Sequence, residues 1–445
     1  MSAPGRRTRG CCSIPIEFVI PYGMAGNAAA PIAQLRRSMT IAALVVAGES
    51  VFFLPYVITR VFRPTFLEVF GLTNLELGLA FSAYGLVAMI CYAVGGPIAD
   101  RFSARSLLTV ALSATACGGL YMATVPSLRG LTLLYAFWGL TSILLFWAAL
   151  IRATREWGGE RRLGSAFGLL DGGRGLFAAL VGAAAYAVFS VLLPDVEHAT
   201  LAERSEALRR VILMFTGTVF AAAALVWIVI PSAPSRGGER SPRFTLRAAL
   251  RVAAMPTLWL QAMIIVCAYV GYKAIDDVSL YAREVMGMDE LRAAGVGAAV
   301  LWMRPIACIA AGWLADRGSV TGLSSLSFLL VLVGSLVLAS GSLQTAPVAL
   351  FLLVVAASAS GIYALRGLYF AIMGEARIPL SYTGTAVGIV STIGYTPDVF
   401  SGPLMGYLLD RSPGAPGHHH WFLVVAAFSL AGLLATLAMR NLSAR

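Results

Sequence analysis

Charged side chains are scarce in this sequence. Only 12% of its 445 residues are charged, against roughly a quarter in an ordinary soluble domain. Apolar residues make up 58%, and a soluble fold cannot hide so many, because single hydrophobic cores stop growing near about 250 to 300 residues. The surplus must face lipid. The composition therefore predicts a polytopic membrane protein and leaves little room for a soluble catalytic or nucleic-acid-binding domain.

Sequence motifs of catalysis and of metal binding are also missing. No H-E-x-x-H, G-x-S-x-G or P-loop pattern occurs, and four of the six cysteines stand singly within apolar runs. Three consecutive histidines, His418 to His420, fall in the last predicted outer loop, where their side chains would point in different directions. We therefore expect no enzymatic activity, no cofactor and no metal site.

Apolar runs bounded by Gly, Pro and Arg are long enough to span a membrane, since a helical span needs about 20 residues. They lie at 39–59, 76–99, 106–126, 130–151, 164–190, 210–231, 256–280, 293–314, 322–342, 347–372, 384–408 and 420–439. We predict an all-α membrane protein with twelve transmembrane helices in two six-helix bundles.

The most polar internal stretch, Pro231 to Arg251, divides the chain between the sixth and seventh spans. It is typical of an interdomain linker. The expected parts are a cytoplasmic N-terminal segment at 1–38, a first six-helix bundle at 39–231, a cytoplasmic linker at 232–255 and a second six-helix bundle at 256–445. The sequence leaves open whether Met1 or Met24 is the true start.

The positive charges indicate the orientation of the chain. Outside the spans, 20 Arg and Lys residues fall on the side of the termini and nine on the opposite side. Because cytoplasmic loops carry an excess of positive charge, we predict a multi-pass protein of the plasma (inner) membrane with both termini cytoplasmic. The net charge of +11 therefore reflects topology and does not indicate a nucleic-acid partner.

A short pattern recurs in the two halves. Gly96 to Arg105 begins G-P-I-A-D-R and Gly312 to Gly318 begins G-W-L-A-D-R, at an offset of 216 residues. These paired loops, each after the second helix of a half, resemble the signature loop of the major facilitator superfamily. The resemblance covers the chain from about residue 38 and implies the major facilitator fold, alternating access and a midplane substrate site. The gating residues that it implies are Gly96, Asp100, Arg101, Arg105, Gly312, Asp316 and Arg317.

The same pattern has a plainer interpretation, a positively charged loop that sets topology and has no gating role. A third match, Gly406 to Arg411, falls on the predicted outer side. We interpret this third match as the end of a helix and assign it no gating role.

A weaker resemblance points to the organophosphate or sugar-phosphate antiporter branch. The segment from Tyr56 to Arg60 and the segment from Tyr272 to Asp276 are similar to helices one and seven of that branch. There, phosphate lies between one basic residue from each helix. Arg60 occupies the first position, but Gly271 stands at the second, with Lys273 two residues later. The departure argues against exchange of inorganic phosphate and allows a small anionic metabolite.

Basic residues inside the spans are candidates for substrate binding, because a charge at the membrane centre costs about 2.5 to 3.5 kcal/mol and needs a partner or a task. A guanidinium offers a planar fork of donors to carboxylate, sulfonate or phosphate. We expect Arg304 and Arg366 to bind a substrate anion, with Lys273, Arg60 and Tyr395 completing the site. The alternative for the two arginines is an ion pair with a carboxylate of another span.

Carboxylates inside the spans are candidates for ion coupling, namely Glu49, Asp398 and Asp277. Burial favours the protonated form of a carboxyl group, so Glu49 could take up a proton and couple transport to a gradient. The alternative is a fixed counter-ion for a cavity arginine. Asp171 and Arg174 lie three residues apart, on one face of a helix, and are expected to form an intramembrane pair.

The function predicted from these features is secondary transport of a small polar, anionic metabolite by alternating access, with proton coupling left open. An amino-acid or other zwitterion carrier of the same fold is one alternative. A non-transporting membrane sensor with a transporter fold is the other. The expected partners are a small-molecule substrate, the lipid bilayer and, if coupled, protons; the oligomeric state is open, with a monomer as the expectation.

Overall fold

The computed structural model describes residues 29–158, 163–193, 195, 198–232, 253–315, 317–369, 371–372 and 383–443. Within these ranges the chain is helical and forms no β-strand. Long apolar segments explain the helices, because a chain in lipid must satisfy each backbone N–H and C=O within its own segment.

The helices of the first half form the N-bundle. They are α1 (Ala29–Ser50), α2 (Ile58–Val61), α3 (Arg63–Phe70), α4 (Asn74–Arg101), α5 (Ala104–Met122), α6 (Leu128–Gly139), α7 (Ala148–Gly158), α8 (Leu163–Leu192) and α9 (Leu201–Val229). A π-helical turn at Phe53–Val57 joins α1 to α2, and another at Leu140–Trp147 joins α6 to α7.

The helices of the second half form the C-bundle. They are α10 (Pro256–Ala274), α11 (Val278–Glu284), α12 (Glu290–Ala315), α13 (Val320–Ala339), α14 (Val348–Leu368), α15 (Thr383–Gly394), α16 (Pro397–Arg411) and α17 (Ala415–Ser443). Short 3₁₀ segments at Ile275–Asp277 and Ser342–Thr345 follow α10 and α13.

Ten segments of the described chain are long and apolar enough to cross a membrane. Three of them run through an interruption, at Gln34–Val61, Leu128–Gly158 and Pro256–Glu284. Helix α5 and the broken pair α15 and α16 occupy the two remaining predicted positions. The fold is therefore an all-α membrane protein that accommodates the twelve predicted helices.

Besides the two π-helical turns, two further interruptions lie inside predicted spans. The chain leaves α-helical geometry at Ile275–Asp277, between α10 and α11, and again between Gly394 and Pro397. Proline explains the second, because it has no N–H to continue the helical ladder. Non-helical backbone at membrane depth is tolerated where it is buried in protein or lines a cavity, and both breaks lie beside the site described below.

Helix boundaries differ from the predicted spans in several places, most clearly at the starts of α1, α9 and α17. Helix α9 begins nine residues before the predicted 210, because Thr200 and Glu203 form a capping box at its start. Helix α17 begins at Ala415, so the three consecutive histidines are helical and the expectation of an outer loop there is wrong. Most of the predicted linker, residues 233–252, lies outside the described residues.

Buried apolar side chains form two large clusters. One belongs to the N-bundle, with a few residues of α12, and the other belongs to the C-bundle. We call the membrane side where α9 ends and α10 begins the linker side, and the opposite side the distal side. The two-bundle division predicted from the sequence stays a prediction, and the clusters support it.

The bundles contact each other closely on the distal side. Asp410, at the end of α16, accepts hydrogen bonds from the backbone N–H groups of Asn74 and Leu75 at the start of α4, at 3.1 and 2.7 Å. A carboxylate is favourable there, because a helix N-terminus carries partial positive charge. The third motif match, Gly406 to Arg411, therefore does more than end a helix, since its Asp410 joins the two bundles.

The contact between α8 and α12 loosens toward the linker side. A Cβ added at Gly182 would overlap Leu301. Nearer the linker side, a Cβ at Gly172 would meet its first described neighbour only at 4.0 Å, and one at Gly168 would meet none within 4 Å. In the described part of the chain, the interface is thus packed on the distal side and wider on the linker side.

Candidate functional site

A cavity of about 60 Å³ lies between the two bundles, enough for a few water molecules. We call it the central cavity. Its walls combine ionised and aromatic side chains from both bundles. They are Glu49, Phe52, Tyr56, Val57, Arg60, Tyr84, Tyr92, Ile143, Trp147, Arg174, Tyr269, Tyr272, Lys273, Arg304, Arg366, Tyr395 and Asp398.

Glu49 of α1 forms ion pairs with two arginines. One carboxylate oxygen accepts a hydrogen bond from Arg304 of α12 at 2.8 Å, and the other accepts one from Arg174 of α8 at 3.2 Å. All three side chains are buried. Arg174 also contacts Asp171 at 3.0 Å, on the same helix. Glu49 therefore links the bundles through permanently charged partners, the arrangement that the sequence offered as the alternative for Arg304.

Arg60 of α2 is tied to the C-bundle at the break after α10. Its guanidinium lies 2.7 Å from a carboxylate oxygen of Asp276, and it donates to the hydroxyl of Tyr272 at 3.0 Å. The hydroxyl of Ser279 in turn donates to the backbone carbonyl of Arg60 at 3.0 Å. This group of contacts closes the distal side of the central cavity.

Lys273 is paired within the C-bundle. Its ammonium lies 2.7 Å from Asp398 of α16, and the hydroxyl of Tyr269 donates to the same carboxylate at 3.1 Å. The ammonium also lies 4.3 Å from the ring centroid of Tyr56 in the N-bundle, close enough for a cation–π contact. The only lysine of the chain therefore has both an ion-pair partner and a cation–π partner.

Arg366 of α14 differs from the other cavity cations. Its guanidinium carbon lies 4.0 Å from the ring centroid of Tyr272 and 5.7 Å from that of Tyr269. No described carboxylate lies within ion-pair distance, and its buried Nη1 has no hydrogen-bond partner in the described part of the chain. Arg366 therefore has donors free toward the cavity.

Tyrosine rings complete the walls. Tyr395, in the break before α16, stacks on Tyr92 of α4 with centroids 5.7 Å apart, and its hydroxyl lies 3.3 Å from that of Tyr369. The hydroxyl of Tyr56 is buried without a described partner. The structure thus brings together the five predicted substrate-binding residues, Arg60, Lys273, Arg304, Arg366 and Tyr395, around one cavity.

The predicted coupling carboxylates separate into two places. Glu49 and Asp398 line the central cavity, whereas Asp277 points away from it. Asp277 is fully buried, and one of its oxygens lies 2.8 Å from Nδ1 of His418 at the start of α17. Nε2 of His418 lies 3.1 Å from Glu284. We call these three residues the Asp277 cluster.

The predicted gating residues lie at the linker ends of α4, α5 and α12. Arg105 stacks over Trp227 of α9, with its guanidinium carbon 4.3 Å from the ring centroid. Arg101 is exposed. The surroundings of Gly96 and the side chain of Asp100 lie outside what the structure describes, so the role expected of these four residues stays a prediction.

The second copy of the motif follows α12. Gly312 faces open space among the described atoms. Arg317 stacks on Trp313 at 3.9 Å and donates to its carbonyl oxygen at 3.2 Å. Asp316 lies outside the described residues.

Several residues of this site were not singled out by the sequence analysis. Tyr269 and Tyr272 lie on the same face of α10 as Asp276, and this three-to-four-residue spacing is the signal that could have found them. His418 had no such signal, because its partners lie more than 100 residues away in the chain.

Comparisons with known proteins agree with this architecture. A family model described as Major Facilitator Superfamily matches residues 39–397. Inner membrane protein YqcE of Escherichia coli (strain K12) is 29% identical over 405 residues, which cover 89% of this chain and 93% of that protein.

Two solved transporters resemble the structure. A bacterial homolog of the human lysosomal transporter Spinster, inward-facing and unoccupied, has a TM-score of 0.67 at 19% identity, over 91% of this chain and 97% of its own. A mutant of the nucleoside transporter NupG has a TM-score of 0.69 at 12% identity, over 91% and 99%. At these identities the likeness establishes the fold.

Proposed function

Because this chain belongs to the Major Facilitator Superfamily and is a membrane transporter rather than an enzyme, we propose that it carries a small organic monoanion. The observation that carries the proposal is Arg366, whose guanidinium faces the central cavity with a buried donor unpartnered among the described residues. Such a donor gains most from an anionic ligand, since hydrogen bonds between ionised groups are about twice as strong as neutral ones.

The charges around the central cavity leave one positive charge over. Five cations line it: Arg60, Arg174, Lys273, Arg304 and Arg366. Four carboxylates contact these cations: Glu49, Asp171, Asp276 and Asp398. A bound monoanion would neutralise the excess among the described groups. A zwitterion would also need a free carboxylate, and each of these four is already paired.

The aromatic walls favour an organic ligand. Tyr272 presents its ring to Arg366, and Tyr56 offers a hydroxyl with no described partner. Rings pack against carbon surfaces and hydroxyls bind polar substituents. The cavity of about 60 Å³ is smaller than most metabolites, so binding requires the side chains or bundles to move apart.

The shape of the interface supports alternating access. If both termini are cytoplasmic, as the positive charges predict, the linker side faces the cytoplasm and the packed distal side faces outward. The conformation would then be inward-facing. The inner-membrane name of the relative YqcE supports placing this chain in the inner membrane as well.

Proton coupling at the central cavity has less support. Glu49 contacts two arginines and Asp398 contacts Lys273. In this conformation we propose that both carboxylates act as counter-ions. Each becomes available for a proton only if substrate or a bundle movement draws its cation away.

A thermal-shift screen of the purified protein, followed by uptake into proteoliposomes, tests the proposal. The panel contains carboxylates, sulfonates, phosphate monoesters, neutral amino acids and nucleosides. We expect an organic monoanion to stabilise the protein and to be taken up. Arg366→Gln should weaken its binding about 10- to 100-fold, because charge-assisted hydrogen bonds are lost. The control is Arg209→Gln, at an exposed arginine of α9.

Three outcomes would contradict the proposal. Equal affinity in the Arg366→Gln variant would remove the assigned site. Stabilisation by neutral amino acids alone would favour a zwitterion carrier. Binding without uptake would favour a sensor with a transporter fold.

A further inference from the structure

His418 is a buried histidine held between two carboxylates. It lies in the first turn of α17 with a side-chain exposure of 0%. Nδ1 lies 2.8 Å from Asp277, and Nε2 lies 3.1 Å from Glu284. Both ring nitrogens therefore face an acceptor, in a part of the C-bundle that does not line the central cavity.

This geometry requires a proton beyond those of a neutral histidine. Neutral imidazole carries one N–H, so it can donate to one carboxylate and must present a lone pair to the other. Two lone pairs facing each other repel. The contacts are satisfied when the ring is an imidazolium, or when one of the carboxyl groups is protonated. Either way, the cluster binds one proton more than a neutral histidine between two carboxylates.

The cluster lies next to a contact between the bundles. Asp277 and Asp276 are consecutive residues of the 3₁₀ segment after α10, and their side chains contact different helices. Asp276 binds Arg60 of the N-bundle at 2.7 Å, whereas Asp277 binds His418. A change in how Asp277 is held therefore acts on the same short turn that positions Asp276.

Protons can reach the cluster from the distal side. The side chain of Glu284, near the distal end of α11, is 34% exposed, whereas Asp277 is 0% exposed. His418 lies between them. One oxygen of Asp277 is buried without a hydrogen-bond partner in the described part of the chain, so the buried end of this path depends on His418 for compensation.

We propose that Asp277, His418 and Glu284 form a proton-binding site, and that the bound proton stabilises the Arg60–Asp276 contact that closes the distal side. The site is independent of the substrate proposed above. Its chemistry separates it from the central cavity, since imidazole is the side chain that titrates near neutral pH whereas arginine and lysine stay charged.

The other charged or titratable groups around the cluster come from four elements. They are Asp276 of the 3₁₀ segment, Tyr281 and Arg283 of α11, Arg63 of α3, and His419 and His420 of α17. Arg283 donates to the backbone carbonyl of Met288. Arg63 is a nearby N-bundle cation that interacts electrostatically with Asp277 and Glu284.

The expected direction of the pH effect follows from the loss of the proton by the cluster. As pH rises, His418 becomes neutral, and Asp277 keeps at most a neutral hydrogen bond in a buried place. Asp277 then loses the cation that contacts it directly, since Arg63 forms no ion pair with it among the described contacts. Such a loss is costly for a buried carboxylate, so the 3₁₀ segment is held less firmly and the Arg60–Asp276 contact weakens. Raising the pH should increase the population whose distal side is open.

Distance measurements between spin labels test this without any substrate. Labels are placed at Ala202→Cys in the N-bundle and Gln344→Cys in the C-bundle, both exposed on the distal side, after replacement of the six native cysteines. In the parent protein we expect longer distances to gain population from mildly acidic to mildly alkaline buffer. In His418→Gln the distribution should no longer depend on pH.

The matched control is His420→Gln, an exposed neighbour on the same helix that should respond like the parent. Because His418→Gln can fail to fold, Glu284→Gln is measured as well. It removes the negative charge of one of the two carboxylates at a partly exposed position, so the imidazolium is less stabilised and the midpoint of the transition should move to lower pH. A parent distribution that ignores pH, or a His418→Gln or Glu284→Gln variant that titrates like the parent, would overturn the proposal.

Discussion

The central cavity and the Asp277 cluster both bury carboxylates, but they give them different partners. In the cavity, Glu49 and Asp398 contact arginine and lysine. In the cluster, Asp277 contacts an imidazole. Arginine and lysine keep their charge at every physiological pH, whereas histidine does not. The comparison indicates two different roles: the permanently charged side chains of the cavity bind an anion, and the cluster binds and releases protons.

The same comparison explains why Arg366 stands out. The other four cavity cations have carboxylate partners among the described residues, so the cavity presents one unpartnered guanidinium instead of a diffuse positive field. A single site of this kind selects a ligand by the position of its charge. Three substitutions would break or sharpen the contrast between the two regions.

The largest effect is expected for Glu49→Gln. The substitution leaves Arg304 without its carboxylate partner and leaves Arg174 with only the exposed Asp171, and breaking a buried ion pair costs about 3–5 kcal/mol. Chemical unfolding in detergent measures the loss, and uptake should fall with it. The control is Asp171→Asn, which removes an acidic partner of the same Arg174 at a side chain that is 57% exposed; its cost should stay within about 1 kcal/mol.

The Glu49→Gln result can also reverse the comparison. If the variant is as stable as the parent and loses only accumulation driven by a proton gradient, Glu49 carries the proton. The central cavity would then be the titrating region, and the fixed-charge assignment made above would be wrong.

An intermediate effect is expected for Asp410→Asn. This carboxylate accepts hydrogen bonds from two backbone N–H groups at the start of α4, one on each oxygen. Asparagine removes the negative charge and one of the two acceptor oxygens, which costs about 1–2 kcal/mol. The ratio of distal-closed to distal-open molecules should fall roughly 5- to 30-fold, as read from the spin-label distances. The pH dependence should persist, because the Asp277 cluster is intact.

Glu206→Gln is the matched control for Asp410→Asn. Glu206 pairs only with arginines of its own helix among the contacts described, Arg209 and Arg210. Its removal should leave the distances unchanged. If Asp410→Asn abolished the pH response, the titrating contact would lie at the end of α16 instead.

The smallest effect is expected for Tyr272→Phe. The change removes the hydroxyl that accepts from Arg60 at 3.0 Å and keeps the ring beside Arg366. One hydrogen bond to a charged group contributes about 1.5 kcal/mol or more, and part of it is replaced by water or ligand. Affinity for the transported anion should change only a few-fold. A loss as large as that of Arg366→Gln would mean that Tyr272 itself contacts the anion.

The helices could be predicted from the sequence because the pattern that indicates them is local. Runs of about 20 apolar residues indicate spans wherever they occur, and Pro397 marks the break before α16. The break at Ile275–Asp277 was not predicted, because neither proline nor glycine stands in it and its geometry depends on contacts from α2 and α17.

The candidate site could be predicted only in part from the sequence. Charge inside a span selected Arg304 and Arg366 equally, and both line the cavity. The sequence could not show which of the two arginines has a carboxylate partner. Arg304 is hydrogen-bonded to Glu49, which lies 255 residues away in the chain. His418 was assigned to a loop because the apolar run begins after it, although the helix begins at Ala415.

The amino-acid sequence by itself determined the membrane location, the helical class and the family. In lipid, each span must form its backbone hydrogen bonds within its own segment, so the local composition is enough to predict the spans and the helical class. Only the tertiary structure decided which charges pair. Asp276 and Asp277 are chemically identical neighbours, yet one contacts Arg60 and the other His418, because a pairing of buried charges depends on which distant helices pack against a residue.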